Sequence, residues 1–157
     1  PPQASVGVNL FLYQVALNPY LSNQDLPRRN VSGQIAQQPS TPYDLYYMLT
    51  FSGQENDFEA ERLLGAVLNG LSLHSVLTRD KIQQAIDANS AGYLQDSDLV
   101  NQLDHISLEP MALSVDEMFR LWSSLSSVNY RLSVAYKVSV VILDPEVSIS
   151  EALSPNT

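Results

Sequence analysis

The stretch Tyr43-Asp44-Leu45-Tyr46-Tyr47-Met48-Leu49-Thr50-Phe51 decides the fold of this 157-residue chain. Every second residue from Tyr43 to Phe51 is aromatic or aliphatic, and this period of two is typical of a β-strand with one buried face. Gly53 follows directly and marks a turn. The sequence therefore predicts a strand over Tyr43–Phe51.

Three more segments predict strands of the same sheet. Apolar residues alternate with others along Val6–Val15 and along Leu132–Leu143, and each segment presents one strongly apolar face. A weaker strand is predicted near Ile106. Pro110 follows it, and because proline has no N–H for a sheet ladder, that strand should lie at an edge or end there.

Helical spacing appears between these strands. Apolar residues recur every three or four positions along Asp57–Leu71, with Asn56 as the predicted cap and Glu59 at the third helical position. Thr78 is the predicted cap of a shorter second helix, which has a narrow apolar stripe that includes Ile82.

The clearest helix signal is Ser114-Val115-Asp116-Glu117, a capping box in which the serine hydroxyl and the glutamate carboxylate satisfy each other's backbone N–H groups. It predicts a helix over Val115–Ser127. The apolar face of that helix is predicted to contain Val115, Met118, Phe119, Trp122 and Leu125.

Together these elements predict an α+β fold: a single domain with a mostly antiparallel or mixed sheet of about four strands packed against two to three helices. We expect the domain to span residues 1–144 and residues 145–157 to form a flexible tail. The proline-interrupted segment Asn18–Pro42 is predicted to be irregular. Because the chain starts Pro1-Pro2-Gln3 without an initiator methionine, we expect it to be a piece of a longer protein.

Composition excludes several functions. Seventeen acidic residues against eight basic ones give a net charge of −9, which disfavours nucleic acid, since phosphate binding relies on Lys and Arg. No segment approaches the roughly 20 apolar residues of a membrane-spanning helix. The chain has no cysteine, so disulfides and thiolate chemistry are excluded, which fits a cytoplasmic setting.

Few residues suggest catalysis. The two histidines, His74 and His105, each lie beside apolar residues and are interpreted as structural. The acidic residues Asp96, Asp98 and Asp104 lack the spacing of a calcium loop and are interpreted as a solvated surface. No nucleophile or phosphate-binding motif is present, so we predict no catalytic, cofactor-binding or metal site, and no enzyme.

One basic segment is an exception. Two of the eight basic residues stand together in Leu26-Pro27-Arg28-Arg29, within the segment predicted to be irregular. Guanidinium groups pair well with carboxylates across an interface, so a docking loop is one interpretation. A solvated turn without a partner is the alternative.

Several phrases, taken in order, resemble one known family. They cover the chain from about Val8 to Ile142 and comprise Asn9–Val15, Asn23–Arg29, Tyr43–Phe51, Leu63-Leu64-Gly65, Leu121–Leu125 and Tyr130–Tyr136. In this order they resemble the cap or tail-terminator family of contractile injection systems, the phage-tail-like machines.

The resemblance implies a structural role. Members of that family form a ring, taken to be hexameric, at the baseplate-distal end, where they stop sheath and inner-tube polymerisation and hold the last sheath ring. It implies a homo-oligomer that contacts sheath and tube proteins and assembles in the cytoplasm within a particle that is released or retained. The residues that match the family phrase, Asn23, Asp25, Leu26, Pro27 and Arg29, fall in the basic segment. A contact role for them and for Arg28 is a hypothesis, since the resemblance does not identify a partner.

Two other functions are open. A connector or adaptor at another position of a phage-like tail would share ring assembly. A small hydrolase or carbohydrate-binding module would instead need a deep pocket joining a histidine to carboxylates.

Overall fold

A computed structural model describes residues 5–21, 28–29, 35–37, 41–89, 92, 99–101, 105–125 and 129–143. Its seven strands are β1 (Gly7–Leu17), β2 (Arg28–Arg29), β3 (Ile35–Gln37), β4 (Thr41–Ser52), β5 (Val76–Leu77), β6 (Ile106–Met111) and β7 (Ser133–Leu143). Its three α-helices are α1 (Glu59–Leu73), α2 (Arg79–Asp87) and α3 (Val115–Ser124).

The main sheet has five strands in the order β1-β4-β7-β6-β5, and every neighbouring pair is antiparallel. The predicted α+β class is therefore confirmed. The sheet has one strand more than the four expected, because β5 is only two residues long and shows no periodicity. The fully apolar row of β4 places that strand between β1 and β7.

Alternation along β4 and β7 gives the sheet two buried faces. On one face, Leu49, Phe51 and Tyr136 form a core against α1. The helix contributes to this core the residues Ala60, Leu63, Leu64, Val67, Leu68 and Leu71. The other face carries Met48, which is 1% exposed, and its neighbour Ala135.

The helix α3 lies over this second face. Ser133 precedes Val134, whose side chain packs into the α1 core, so Ser133 points to the opposite side of β7. There its Oγ accepts a hydrogen bond from the indole Nε1 of Trp122 at 3.1 Å. The helix α1 therefore covers one side of the sheet, and α3 contacts the other side through its one buried residue, Trp122.

The start of α1 differs from the prediction. Asn56 does not cap the helix; it lies in a 3-10 turn over Glu55–Asp57, and the residue before the helix is Phe58, with φ of 50°. The carboxylate of Glu59 instead accepts a hydrogen bond from the backbone N–H of Gln54 at 2.8 Å. An acidic side chain in the first turn therefore satisfies a backbone donor outside the helix, a contact that the capping-box pattern does not encode.

Other boundaries moved by a few residues. The helix α1 continues to Leu73, past Gly70, and α3 ends at Ser124 rather than Ser127. Thr78 occupies the N-cap position of α2, as predicted, but its side chain makes no capping hydrogen bond. The segment Asn18–Pro42 is not wholly irregular, because β2 and β3 pair within it as a small antiparallel sheet. The predicted tail, residues 145–157, lies outside the described residues.

Candidate assembly interface

The first candidate surface is the outer edge of β1. Among the residues that the structure describes, β1 pairs with β4 on one side and with no strand on the other. It is eleven residues long and contains neither proline nor a charged side chain. Natural proteins protect open sheet edges with just those residues, so this edge has the features of a strand that another chain covers.

The opposite edge of the sheet is protected. There the two-residue strand β5 pairs with the start of β6, and α2 follows directly. Beyond β5 the rest of β6 contains Pro110, which offers no N–H, and the charged Glu109. The prediction that Pro110 limits this strand to an edge agrees with the structure. The two edges of the sheet thus differ in protection: the β5/β6 edge has a proline and a charged residue, and the β1 edge has neither.

One row of β1 side chains is apolar and poorly covered. The side chains of this row pair with β4 residues that include Leu49 and Phe51. Because those two residues belong to the core against α1, the row lies on the α1 side of the sheet. Its members are Val8, Leu10, Leu12, Val15 and Leu17, and each is 42–60% exposed. We call this set the β1 row.

The other face of β1 is tied into the domain. A bulge between Leu12 and Gln14 shifts the register at Tyr13. The Tyr13 hydroxyl donates to the sulfur of Met111 at 3.9 Å, and its ring lies 6.3 Å from that of Tyr46. Burial raises the pKa of the Tyr13 hydroxyl, with smaller contributions from Tyr46 and the Glu117 carboxylate. Tyr13 therefore anchors the middle of β1 to the domain, although Phe11 on the same face remains 37% exposed.

The second candidate surface is a shallow apolar groove beside the N-terminal half of α3, with a volume of about 200 Å³. It is lined by Leu113, Ser114, Val115, Met118, Phe119 and Tyr130. We call it the α3 groove. Val115 is 73% exposed and Phe119 58% exposed. Both residues belong to the predicted apolar face, but they stay exposed because the apolar arc is wider than the area that the sheet covers.

The capping box fixes the first turn of α3, which contributes to the lining of the α3 groove. The backbone N–H of Ser114 donates to a Glu117 carboxylate oxygen at 2.8 Å, and the Ser114 hydroxyl donates to the same oxygen at 2.7 Å. In return the Glu117 N–H lies 3.3 Å from the Ser114 hydroxyl oxygen. The two hydrogen bonds that the Glu117 carboxylate accepts from Ser114 lower the pKa of Glu117, and the bond from the hydroxyl has the larger effect. The predicted capping box is confirmed.

The basic segment is only partly described. Arg28 and Arg29 form β2 and pair with Gln37 and Ile35 of β3. Asn23, Asp25, Leu26 and Pro27 lie outside the described residues. The predicted contact role of all six residues stays a prediction.

Chemistry-bearing groups are sparse in the parts of the chain that the structure describes. Within them, no three His, Cys, Asp or Glu side chains are placed to hold a metal ion. Nor does any described helix have the length and apolarity needed to cross a membrane. His74 Nδ1 lies 3.1 Å from the Lys81 amino group, and this contact is exposed to solvent. An exposed pair of this kind gives no support to the hydrolase alternative, which requires a pocket and carboxylates.

Sequence reasoning missed both surfaces. The absence of any Asp, Glu, Lys or Arg before Asp25 was a usable signal, because an uncharged strand is poorly protected as an edge. The α3 groove had no such signal, because Val115 and Phe119 lie in the same apolar arc of the helix as the buried Trp122. An open apolar sheet edge and an exposed groove are features of a protein module that associates with other chains.

The chain belongs to the Pvc16 N-terminal domain family, whose model matches residues 1–154. A solved structure, described as the sheath/tube terminator of PVC, an extracellular contractile injection system, in its extended state, has a similar fold: the TM-score is 0.56 at 18% sequence identity. The similarity covers 100% of this chain and 52% of that one, so the chain spans about half the length of its solved relative. A search of curated proteins finds no match.

These comparisons confirm the resemblance to a terminator family. The prediction of a structural rather than an enzymatic protein agrees with the solved neighbour, which is described as a sheath/tube terminator.

Proposed function

We propose that this domain is part of the cap that terminates the sheath and tube of a contractile injection system. In this proposal, copies of the chain form a ring, hexameric by family resemblance, at the baseplate-distal end. The ring stops polymerisation and holds the last sheath ring. Assembly takes place in the cytoplasm, before the particle is released or retained.

The observation that carries the proposal is the unprotected edge of β1 in a member of the Pvc16 N-terminal domain family. An open strand can accept an extended segment of another subunit as an additional strand, with main-chain hydrogen bonds for affinity and side-chain rows for specificity. Capping a polymer requires this kind of contact surface and requires no catalytic pocket.

The two candidate surfaces also suit a ring. A closed ring of identical subunits needs a heterologous contact, in which one patch of each copy meets a different patch of the next. The β1 row and the α3 groove are two such patches, both apolar and with different shapes. The net charge of −9 makes copies repel each other overall, which favours contacts through surfaces without charged side chains, such as the β1 row.

The proposal is tested by polymerising purified tube and sheath subunits with and without the native-length protein and measuring particle lengths in electron micrographs. A cap shortens the length distribution and appears as density at one end of each particle. The α3-groove variant Phe119→Lys should abolish both effects while the protein still folds. Lengths that do not change when the protein is added would contradict the proposal. Density along the particle or at the baseplate end would favour the connector alternative.

A further inference from the structure

We infer that the free protein pairs with a second copy of itself through the open edge of β1, in an antiparallel contact that joins the two sheets. The inference concerns the protein before it joins any particle, and it does not depend on the proposed function. It follows from three properties of β1.

The first property is that β1 is complementary to itself. When two copies of one edge strand pair antiparallel around a two-fold axis perpendicular to the sheet, each face of one copy continues into the same face of the other. The β1 row of one copy then lies beside the β1 row of its partner, where side chains on adjacent strands are about 4.5–5.5 Å apart. Apolar side chains that are 42–60% exposed in one copy are covered by the same residues of the second.

The second property is charge. Each copy carries a net charge of −9, so two copies repel each other over most of their surfaces. No charged residue precedes Asp25 in the sequence, and β1 lies wholly within that uncharged region. The edge of β1 is therefore a region where two copies can approach without opposing like charges directly.

The third property is the contrast between the two edges. The β6 edge is shortened by β5 and blocked by Pro110, whereas no described strand pairs with the outer edge of the eleven-residue β1. Edge pairing can thus join β1 to β1 and then stop, because the outer edges of the resulting ten-stranded sheet (five strands from each copy) are the protected ones. The contact is isologous and yields a pair, not a fibre.

Pairing of this kind has a consequence for assembly. The edge that the cap would present to other subunits is covered while the pair exists, so the pair must separate before β1 can accept another strand. Self-pairing protects an aggregation-prone strand until a competing partner is present.

The test uses the purified chain alone. Light scattering and analytical ultracentrifugation over a wide concentration range should show a monomer–dimer equilibrium. Leu10→Lys places a charged side chain in the apolar row of each copy and should raise the dissociation constant by about tenfold or more, since an unpaired charge is costly to bury between the strands. Leu73→Lys is the matched control, because Leu73 is 71% exposed at the end of α1 and should leave the equilibrium unchanged.

Engineered cysteines give a second readout that does not rely on destabilising the pair. The chain has no cysteine of its own, so a single Leu10→Cys or Leu12→Cys introduces the only thiol. Oxidation should join two copies most readily through Leu12→Cys, because Leu12 is the midpoint of β1 and a full-register antiparallel pair places it opposite itself, within disulfide distance. Val115→Cys, exposed beside the α3 groove, should crosslink far more slowly.

A protein that stays monomeric at every concentration would overturn the inference. So would a dimer or ring that survives Leu10→Lys, or equal crosslinking at Val115→Cys. Circular dichroism identifies any variant that fails to fold, and the cysteine comparison then decides. A failed capping experiment leaves these results unaffected, so the two proposals can fail separately.

Discussion

The indole Nε1 of Trp122 donates a hydrogen bond to the Oγ of Ser133 at 3.1 Å, and this bond joins α3 to the start of β7. The Ser133 hydroxyl in turn donates to the backbone carbonyl of Arg131 at 2.6 Å. Trp122 is 7% exposed, and its ring also lies 5.5 Å from that of Tyr130. One side chain thus closes the second face of the sheet and supports a wall of the α3 groove.

Replacing Trp122 with alanine should therefore lower the free energy of unfolding by about 3–5 kcal/mol, the usual cost of removing a large buried aromatic side chain. Urea denaturation followed by circular dichroism measures the change. Phe119→Ala is the control from the same helix; because Phe119 is largely exposed, its cost should be much smaller. Equal costs for the two variants would show that Trp122 is not a core residue.

The capping box of α3 predicts both a stability effect and a pKa effect. Ser114→Ala removes the hydroxyl that bonds Glu117 and should cost about 1 kcal/mol of stability. It should also raise the pKa of Glu117 toward its ordinary value, since the Ser114 hydroxyl is the largest cause of the low pKa. Carboxyl NMR titration of both proteins measures this shift.

The sign of the pH dependence follows from the direction of the shift. The pKa of Glu117 is lower in the folded than in the unfolded protein, so its stabilising contribution is complete above the unfolded pKa. It is lost as the pH falls through the folded pKa. Ser114→Ala should therefore destabilise the domain more at neutral pH than at acidic pH. A cost that does not vary with pH would contradict this coupling.

Two glycines should respond in opposite ways to alanine. A Cβ at Gly53 would lie 2.5 Å from the Cβ of Glu59 and 2.9 Å from the backbone nitrogen of Ala60, so Gly53→Ala should cost about 1–3 kcal/mol. A Cβ at Gly65, inside α1, meets no described atom within 4 Å, so Gly65→Ala should stabilise the domain by about 0.5–1 kcal/mol. Thermal denaturation of both variants measures the difference. Destabilisation by Gly65→Ala would contradict the absence of described atoms near a Cβ at Gly65.

The elements that could be predicted from the sequence are those whose pattern depends only on residues close together in the chain. The period of two in β4 and the capping box of α3 are properties of neighbouring residues, and both are confirmed. The strand β5 was missed because two residues carry no period. The start of α1 was misplaced because Phe58 and the bond from Gln54 to Glu59 follow from how the chain leaves β4 at Gly53.

The candidate surfaces were harder to predict for a different reason. An apolar row on a strand has the same sequence pattern whether its own chain covers it or another chain does, so Leu10 could not be distinguished from Leu49. Only the strand order shows that β4 is central and β1 is at the edge. Likewise, Val115 and Trp122 belong to one apolar arc of α3, and only the position of the helix on the sheet separates the exposed residue from the buried one.

The arginine pair provides the last prediction. Arg28→Glu combined with Arg29→Glu should leave the melting temperature of the domain close to that of the parent, because β2 and β3 form a small sheet separate from the main one. The same variant should weaken cap assembly if both guanidinium groups pair with carboxylates of another subunit. Sedimentation with tube and sheath measures the effect. The control is Arg62→Glu with Arg131→Glu, an exposed pair with the same change in net charge, which should assemble like the parent. Equal loss in both variants would assign the effect to net charge, and unchanged assembly of the Arg28 and Arg29 variant would rule out a docking role.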